Sequence, residues 1–205
     1  MNSISPSPLV RNQQLVVNLF GGPCAGKSSL AAILFGRLKR EHYEAELAVE
    51  FAKDLAFENR RDALKCQIYV LGNQYWRIQR AFSGGAQIVV TDSPCLLSCA
   101  YQTSPGIEAA ALEAHFAYPS LNLFVDRSER YSAYGRVHER DQAEQIDERI
   151  IGILNRFSIP FTRVSIEHGE QQAVAMVLEQ ARRAAETIGA EPLSSFDHDN
   201  APLPC

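Results

Sequence analysis

Short apolar runs alternate with longer amphipathic stretches along most of the chain. The apolar runs predict strands over residues 15–20, 45–50, 86–91, 122–125 and 161–166. Between them, apolar side chains recur three and four positions apart, which predicts helices over 26–40, 54–61, 63–82, 107–117, 171–188 and from residue 143 onward. Strands that alternate with helices are typical of a parallel sheet covered on both faces. We therefore predict an α/β three-layer sandwich around a five-stranded parallel sheet.

The two ends of the sequence lack this pattern. Residues 1–14 are polar and contain prolines, and residues 189–205 hold several prolines with little periodicity. Such segments are usually poorly ordered. We therefore expect a flexible N-terminal arm over 1–14, one domain over 15–188 and a flexible C-terminal tail over 189–205.

The composition narrows the class of protein. With 46% hydrophobic and 21% charged residues, the 205-residue chain has the composition of a globular protein. Its formal net charge of −4 means that binding to nucleic acid would need a local basic patch. The five cysteines form no CxxC pair or zinc-binding spacing, which favours reduced thiols in a cytoplasmic protein. No apolar run approaches the roughly 20 residues of a membrane span, and the first residues do not resemble a signal peptide.

The clearest motif lies between the first predicted strand and the first predicted helix. Residues 21–28 match the pattern GxxxxGK[ST] at every fixed position. Glycines at the first and sixth positions let the backbone N–H groups curl toward phosphate oxygens, while Lys27 adds charge and Ser28 offers a hydroxyl to Mg²⁺. The motif predicts a nucleoside-triphosphate site, and the residues expected to form it are Gly21, Gly22, Pro23, Cys24, Ala25, Gly26, Lys27, Ser28 and Ser29.

The partner motifs favour a small kinase among the proteins that share this loop. A GTPase would carry an Asn-Lys-x-Asp base reader, and the sequence has none. The third strand instead ends in Thr91-Asp92-Ser93-Pro94. A carboxylate at that strand end, beside the phosphate-loop strand, is the usual partner of Mg²⁺, so we predict that Asp92 and Ser28 hold the metal. The alternative is that Asp92 caps the next helix.

A second carboxylate, Glu50, ends the second predicted strand. In a small kinase this strand end faces the acceptor, so Glu50 or Asp54 would accept the proton of the acceptor hydroxyl. The alternatives are an ordinary surface glutamate at 50 and a helix N-cap at 54.

Residues 127–142 form a polar stretch rich in arginine and poor in core-forming side chains. We predict a mobile lid in which Arg127 and Arg136 neutralise charge on the transferred phosphoryl group. A solvated helix with internal salt bridges remains an alternative, because acidic residues lie among the arginines.

The helix predicted over 63–82 carries a possible acceptor-binding face. Gln67, Gln74 and Arg77 fall near one face of the helix, and a glutamine amide can read the edge of a pyrimidine. The alternative to an acceptor-binding role for this helix is that its Tyr69, Trp76 and Ile78 are plain core residues. We favour this alternative for Trp76.

Four segments together resemble a known family: VNLFGGPCAGKSS, VEFAKDLAFENR, QIYVLGNQYWRIQR and VVTDSP. The series is similar to the bacteriophage P-loop kinases of the thymidylate-kinase-like superfamily, and within them to the 5-hydroxymethyluracil DNA kinases. The resemblance covers residues 15–166 and implies a P-loop kinase-like fold with ATP and Mg²⁺ as cofactors. It also implies an acceptor-side role for Glu50, a metal-side role for Asp92 and a lid role for Arg136.

The resemblance further implies a function. Such an enzyme phosphorylates the hydroxymethyl group of 5-hydroxymethyl-deoxyuridine within phage DNA, in the host cytoplasm. The alternatives are a kinase of a free deoxynucleoside, a deoxynucleoside monophosphate or ribosylnicotinamide, and an ATP-gated regulatory module. A homodimer is compatible with each of them.

Overall fold

Five parallel strands form one sheet in the computed structural model, which describes residues 14–102, 104–127 and 140–186. The strands are β1 Leu15–Phe20, β2 Ala45–Ala48, β3 Ile88–Thr91, β4 Ser120–Asp126 and β5 Thr162–Ser165, in the spatial order β2-β3-β1-β4-β5. Both neighbours of β1 run parallel to it, with Val17 opposite Val90 of β3 and Leu121 of β4. This order brings the carboxyl ends of β2, β3 and β1 side by side at one edge of the sheet.

Helices cover both faces of the sheet. They are α1 Lys27–Arg40, α2 Phe51–Phe57, α3 Arg61–Lys65, α4 Gln67–Ser83, α5 Ser98–Tyr101, α6 Pro105–Phe116, α7 Arg140–Arg156 and α8 Glu170–Glu186, with a short 3₁₀ turn at Cys95–Leu97. Every residue of β1 is buried. Its side chains alternate between two hydrophobic cores: Val16 and Phe20 pack with α4, α6 and α7, whereas Leu15, Val17 and Leu19 pack with α1 and α8. The predicted three-layer α/β sandwich is confirmed.

The largest departure from the prediction lies between β2 and α4. The second strand ends at Ala48 rather than 50, and α2 begins at Phe51 rather than 54. The helix predicted over 63–82 is two helices, because Cys66, with a ψ of 86°, leaves the helical conformation between α3 and α4. The Gln67 amide donates a hydrogen bond to the Leu64 carbonyl and thereby satisfies an acceptor that the broken helix leaves free.

The interpretation of Trp76 as a core residue is wrong, because 60% of its surface is exposed. Tyr69 is also exposed, and of the three apolar residues considered on this helix only Ile78 is buried. The inward face of α4 is already filled by Val70, Leu71, Gln74, Ile78 and Phe82.

Some predictions fall outside the described residues. They concern residues 1–13, the tail from 187 onward, and the segment 128–139 that contains Arg136 and most of the predicted lid. Within the part of the chain that the structure describes, no helix combines the length and apolar character that crossing a membrane requires.

Candidate active site

The phosphate loop connects the end of β1 to the start of α1 and depends on two glycines with positive φ. Gly21 has φ +135° and Gly26 has φ +94°. A Cβ atom at Gly26 would also lie 2.6 Å from a side-chain carbon of Ile166, in the segment after β5. A side chain at position 26 would therefore be both strained and obstructed, and the sequence motif reflects this local geometry.

Lys27 points its ammonium group into the loop. Nζ donates a hydrogen bond of 2.8 Å to the Gly22 carbonyl oxygen. Burial lowers the pKa of Lys27, while the nearby carboxylates of Glu50, Asp92 and Asp147 oppose this shift. The ammonium group is thus held at the point where the motif would bring phosphate oxygens.

Ser28 and Asp92 meet at the carboxyl ends of β1 and β3. The Ser28 hydroxyl donates a hydrogen bond of 2.5 Å to Oδ2 of Asp92. The other carboxylate oxygen, Oδ1, is buried and has no hydrogen-bond partner among the described residues. A buried carboxylate oxygen without a partner beside a hydroxyl is a donor set that suits Mg²⁺. Asp92 does not cap the following 3₁₀ turn, whose N-cap is Pro94.

Protein ligands alone would not enclose a metal ion here. No group of three or more His, Cys, Asp or Glu side chains in the described ranges is arranged to hold one. Mg²⁺ usually keeps water ligands and is completed by substrate phosphates. The residues present therefore fit a metal that arrives with a nucleotide.

Glu50 lies just after β2, at the N-cap position of α2. Burial raises the pKa of its carboxyl group, and the negative charge of Asp92 raises it further, whereas Lys27 lowers it. Such a carboxyl group has a proton affinity better suited to general-base catalysis than that of an exposed glutamate.

The phosphate loop and Glu50 line one cavity of about 930 Å³. The predicted site residues that line it are Pro23, Cys24, Gly26, Lys27, Ser28, Ser29, Glu50, Gln67 and Gln74. Lys53 and Tyr101, which the sequence did not single out, line it as well. Along the sheet edge, the base candidate Glu50, the metal-side Asp92 and the phosphate loop follow one another in the order β2, β3, β1.

Asp54 and Arg77, predicted as substrate contacts, are bonded to each other instead of lining this cavity. Their side chains form an ion pair, and Arg77 also donates a hydrogen bond of 3.1 Å to the Val49 carbonyl. The Arg77 guanidinium lies 5.2 Å from the centre of the Phe51 ring. The pair holds α2 against α4. The alternative interpretation of Asp54 as an N-cap is wrong, since Glu50 occupies that position.

Gln74 lines the cavity, but its amide is engaged with the protein. Its Oε1 accepts a hydrogen bond of 2.9 Å from the Phe51 N–H, and its Nε2 donates one of 3.2 Å to the Thr91 hydroxyl. Gln74 thereby connects the start of α2 to the end of β3 and fixes the backbone that carries Glu50. A substrate contact by Gln74 or Gln67 stays a prediction.

The sequence analysis missed Asp147 on α7. Its Oδ1 accepts a hydrogen bond from the Gly22 N–H of the phosphate loop, and its Oδ2 accepts one of 2.8 Å from Arg127. Arg127 also donates a hydrogen bond of 2.6 Å to the Pro23 carbonyl. Arg127 is thus bonded to the loop backbone and to Asp147, and its predicted contact with the transferred phosphoryl group stays a prediction.

A sequence signal for Asp147 does exist. The residues Ala143, Ile150 and Leu154 are buried on one face of α7. Asp147 falls on the same face by helical spacing, four residues after the first and three before the second. A carboxylate on the apolar face of a helix requires a partner, although the sequence does not show that the partner is a loop more than a hundred residues away.

The comparisons with known proteins agree with the observed architecture. No curated protein matches the sequence significantly. The structure is similar to deoxyadenosine kinase from M. mycoides with bound dCTP, with a TM-score of 0.54 and 13% identity, over 82% of this chain and 99% of that chain. The same enzyme with bound dATP gives a TM-score of 0.51 and 15% identity over the same shares. The predicted P-loop kinase-like fold is confirmed. A family model described as an AAA domain matches residues 16–172, and the protein belongs to that family.

Proposed function

We propose that the protein is a kinase that transfers the γ-phosphoryl group of ATP to a hydroxyl group of a nucleoside-type acceptor. One observation carries the proposal: the half-buried carboxyl group of Glu50, whose pKa is raised, lines the same cavity as Lys27 and Ser28 of the phosphate loop. A protein that only bound a nucleotide would not need a base in this cavity, whereas a base there can activate an acceptor hydroxyl or a water molecule.

Each group has a distinct part in the reaction. The phosphate loop binds the triphosphate through its N–H groups, and Lys27 stabilises the negative charge that builds up on the transferred phosphoryl group. Ser28 and Asp92 would hold Mg²⁺, which when bound neutralises the β- and γ-phosphate oxygens. Glu50 accepts the proton of the attacking hydroxyl.

For the acceptor, we favour the hydroxymethyl group of 5-hydroxymethyl-deoxyuridine in DNA. The series of four sequence segments, from the phosphate loop to Thr91-Asp92-Ser93-Pro94, supports this choice. A base within DNA would have to leave the stack to reach the cavity. The product would be a phosphate ester on the base.

Two other functions have specific support. The structural likeness to a deoxyadenosine kinase favours a free nucleoside or nucleotide acceptor. The AAA-domain family model favours a module that hydrolyses ATP and regulates a partner. The three functions differ in what becomes phosphorylated: a base in DNA, a free small molecule, or water.

An acceptor assay separates them. The protein is incubated with ATP, Mg²⁺ and duplex DNA containing 5-hydroxymethyluracil, and mass spectrometry after nuclease digestion detects the phosphorylated base. Unmodified duplex and free 5-hydroxymethyl-deoxyuridine, deoxynucleoside monophosphates and ribosylnicotinamide are assayed in parallel. Transfer to the modified DNA, absent with the Lys27→Ala variant, is the expected result. Transfer to a free acceptor alone would overturn the DNA assignment, and ADP release without any acceptor would overturn the kinase assignment.

A further inference from the structure

Exposed aromatic and apolar side chains are concentrated on one part of the molecule. Among the described residues, the exposed large apolar side chains Val49, Phe57, Ile68, Tyr69 and Trp76 all lie between the end of β2 and the middle of α4, whereas Tyr101 and Phe116 lie elsewhere. Phe57 and Trp76 are 80% and 60% exposed, respectively. Contiguous exposure of large apolar side chains on a small domain usually marks a binding surface.

Cations are interleaved with these rings. The Lys53 ammonium lies 5.9 Å from the centre of the Phe57 ring, and the Arg60 guanidinium lies 6.0 Å from the centre of the Tyr69 ring. Exposed Lys65 lies between Arg60 and Tyr69 in sequence and, like Lys53, lines the active-site cavity. We call the set of Lys53, Phe57, Arg60, Lys65, Tyr69 and Trp76 the aromatic–basic surface.

The charge of this region is opposite to that of the chain. Residues 51–83 contain six Lys or Arg against three Asp or Glu, whereas the whole chain has a formal net charge of −4. Arg77 is paired with Asp54, and the exposed Arg60 lies 3.6 Å from Glu58. The exposed Lys53, Arg61, Lys65 and Arg80 then remain, with Asp62 as the other acidic residue of this segment. The local basic patch that nucleic-acid binding would need therefore exists here.

The exposed face of α4 carries two rings of this surface with open space between them. Tyr69, Gly72 and Trp76 follow one another on the exposed face of α4, and a Cβ atom at Gly72 would meet nothing within 4 Å. The two rings thus stand above an open stretch of helix. A polar concavity of about 680 Å³, lined by residues 59–63 and including both Arg60 and Asp62, adjoins Tyr69 through the Arg60 side chain.

We propose that the aromatic–basic surface binds a single-stranded segment of nucleic acid, with bases stacked on Tyr69 and Trp76 and phosphates near Arg60 and Lys65. Bases of any sequence stack on exposed rings, and cations beside the rings follow the backbone. A second copy of the chain fits less well, because a two-fold contact would place two patches of like charge together. The identity of the acceptor nucleotide rests on the proposed function, but strand binding does not.

Trp76 provides a direct measurement, because it is the only tryptophan in the sequence. An unlabelled oligothymidine of about 12 nucleotides, a length within the range of strand-binding sites, is titrated into the protein. The expected result is quenching of the tryptophan fluorescence, and absence of quenching and of any binding by anisotropy would overturn the proposal.

Four variants test the surface by anisotropy with a labelled oligothymidine. Loss of one stacking ring should weaken binding about 5- to 150-fold in Trp76→Ala, whereas Trp76→Phe should retain most of the affinity. Arg60→Ala should lower the slope of log affinity against log salt by about 0.7, the value of one phosphate contact on a single strand. The control is Phe116→Ala, which removes an exposed ring outside the surface. An equal loss in this control would overturn the proposal.

The remaining outcomes separate this proposal from the proposed function. Oligothymidine carries no hydroxymethyl group, so its binding is independent of catalysis. If the protein phosphorylates no acceptor but the variants lose strand binding as expected, the kinase assignment fails and the surface stands. If Trp76→Ala dissociates a dimer in sedimentation experiments and leaves strand binding unchanged, the surface is a contact between two copies and the proposal is overturned.

Discussion

At the scale of single residues, the two carboxylates of the site differ in what surrounds them. Asp92 bonds to Ser28 with one oxygen and keeps the other free and buried, whereas Glu50 faces the cavity with a raised pKa. The first arrangement suits a metal ligand and the second suits a proton acceptor. Their substitutions should therefore affect different steps of the reaction.

We expect Glu50→Gln to lower kcat about 10²- to 10⁴-fold with an unchanged Mg²⁺ requirement, because it removes only the base. Asp92→Asn should shift the Mg²⁺ requirement to higher concentration, because it removes a metal ligand's charge. The measurement is a Mg²⁺ titration of both variants at saturating ATP and acceptor. Recovery of Glu50→Gln at high Mg²⁺, with no recovery of Asp92→Asn, would show that the two roles are exchanged.

The raised pKa of Glu50 also has a consequence for stability. A folded state that raises the pKa of an acid above its unfolded value of about 4.5 binds the proton more tightly than the unfolded state. Ionisation of Glu50 therefore destabilises the fold, and this cost grows as the pH rises from 4.5 through the folded pKa. We expect Glu50→Gln to raise the Tm at pH 7 to 8, with a difference that shrinks toward pH 4.5.

The matched control is Glu46→Gln, an exposed carboxylate on β2. Thermal melts of the two variants and the wild type between pH 4.5 and 8 provide the comparison. A lower Tm for Glu50→Gln across the whole range would mean that the carboxylate is favourably paired in the folded state.

At the scale of secondary structure elements, α7 is attached to the phosphate loop by Asp147. This carboxylate bonds to the Gly22 N–H and to Arg127, whose side chain is 9% exposed. A second ion pair, suited as a control, joins Asp126 of β4, the residue before Arg127, to Arg163 of β5. Its arginine side chain is 59% exposed. The two pairs differ chiefly in burial.

We expect Asp147→Asn to destabilise the protein by about 3 kcal/mol and to raise the KM for ATP, because it leaves Arg127 charged and buried and frees the first half of the loop. Asp126→Asn should cost at most about 1 kcal/mol and leave the KM unchanged. Urea unfolding and ATP-dependent kinetics measure both effects. Equal KM values in the two variants would limit Asp147 to a role in stability.

The elements that the sequence predicted well are those determined by local patterns. The β1 strand, the phosphate loop and α1 follow one another within 26 residues, and their apolar spacing and glycines specify strand, turn and helix directly. The position of Asp92 beside the phosphate loop was also predicted from the sequence. Strands that alternate with helices form a parallel sheet, and in this sheet β3 lies beside β1.

What the sequence did not show depends on distant partners. The start of α2 is fixed by Gln74, which bonds to the Phe51 N–H from a helix 23 residues further along the chain. Asp54 and Arg77 look like free substrate ligands in the sequence, and only the packing of α2 on α4 makes them partners. Trp76 looks like a core residue because of its size, but smaller residues already fill the inner face of α4.

At the scale of the whole molecule, the sheet order arranges the site. Along one edge of the sheet, Glu50, the base candidate, follows the carboxyl end of β2. Asp92, the metal candidate, follows that of β3, and the phosphate loop follows that of β1. An acceptor at Glu50 and a triphosphate at Lys27 would therefore lie on opposite sides of Asp92. This order is what transfer between two bound groups requires.

Nucleotide binding should accordingly stabilise the whole domain. The stabilisation should differ between Glu50→Gln and Lys27→Ala, which change two residues that line the same cavity. A ligand at 100 times its Kd stabilises the folded state by about 2.7 kcal/mol, which corresponds to a Tm increase of ~5–11 °C for a domain of this size. We expect this increase with ATP and Mg²⁺ in the wild type and in Glu50→Gln, because the proposed function assigns Glu50 to the acceptor and not to the nucleotide.

In Lys27→Ala the ligand-dependent increase in Tm should be lost. The Tm without nucleotide should stay at or above that of the wild type, because burial disfavours the charge of the amine that the variant removes. Differential scanning fluorimetry with and without ATP and Mg²⁺ measures both quantities for the three proteins. A Lys27→Ala variant that melts far below the wild type without nucleotide would show that Lys27 supports the fold. An undiminished ligand-dependent increase in that variant would place the triphosphate outside the loop, because the ammonium group could not then be one of its contacts.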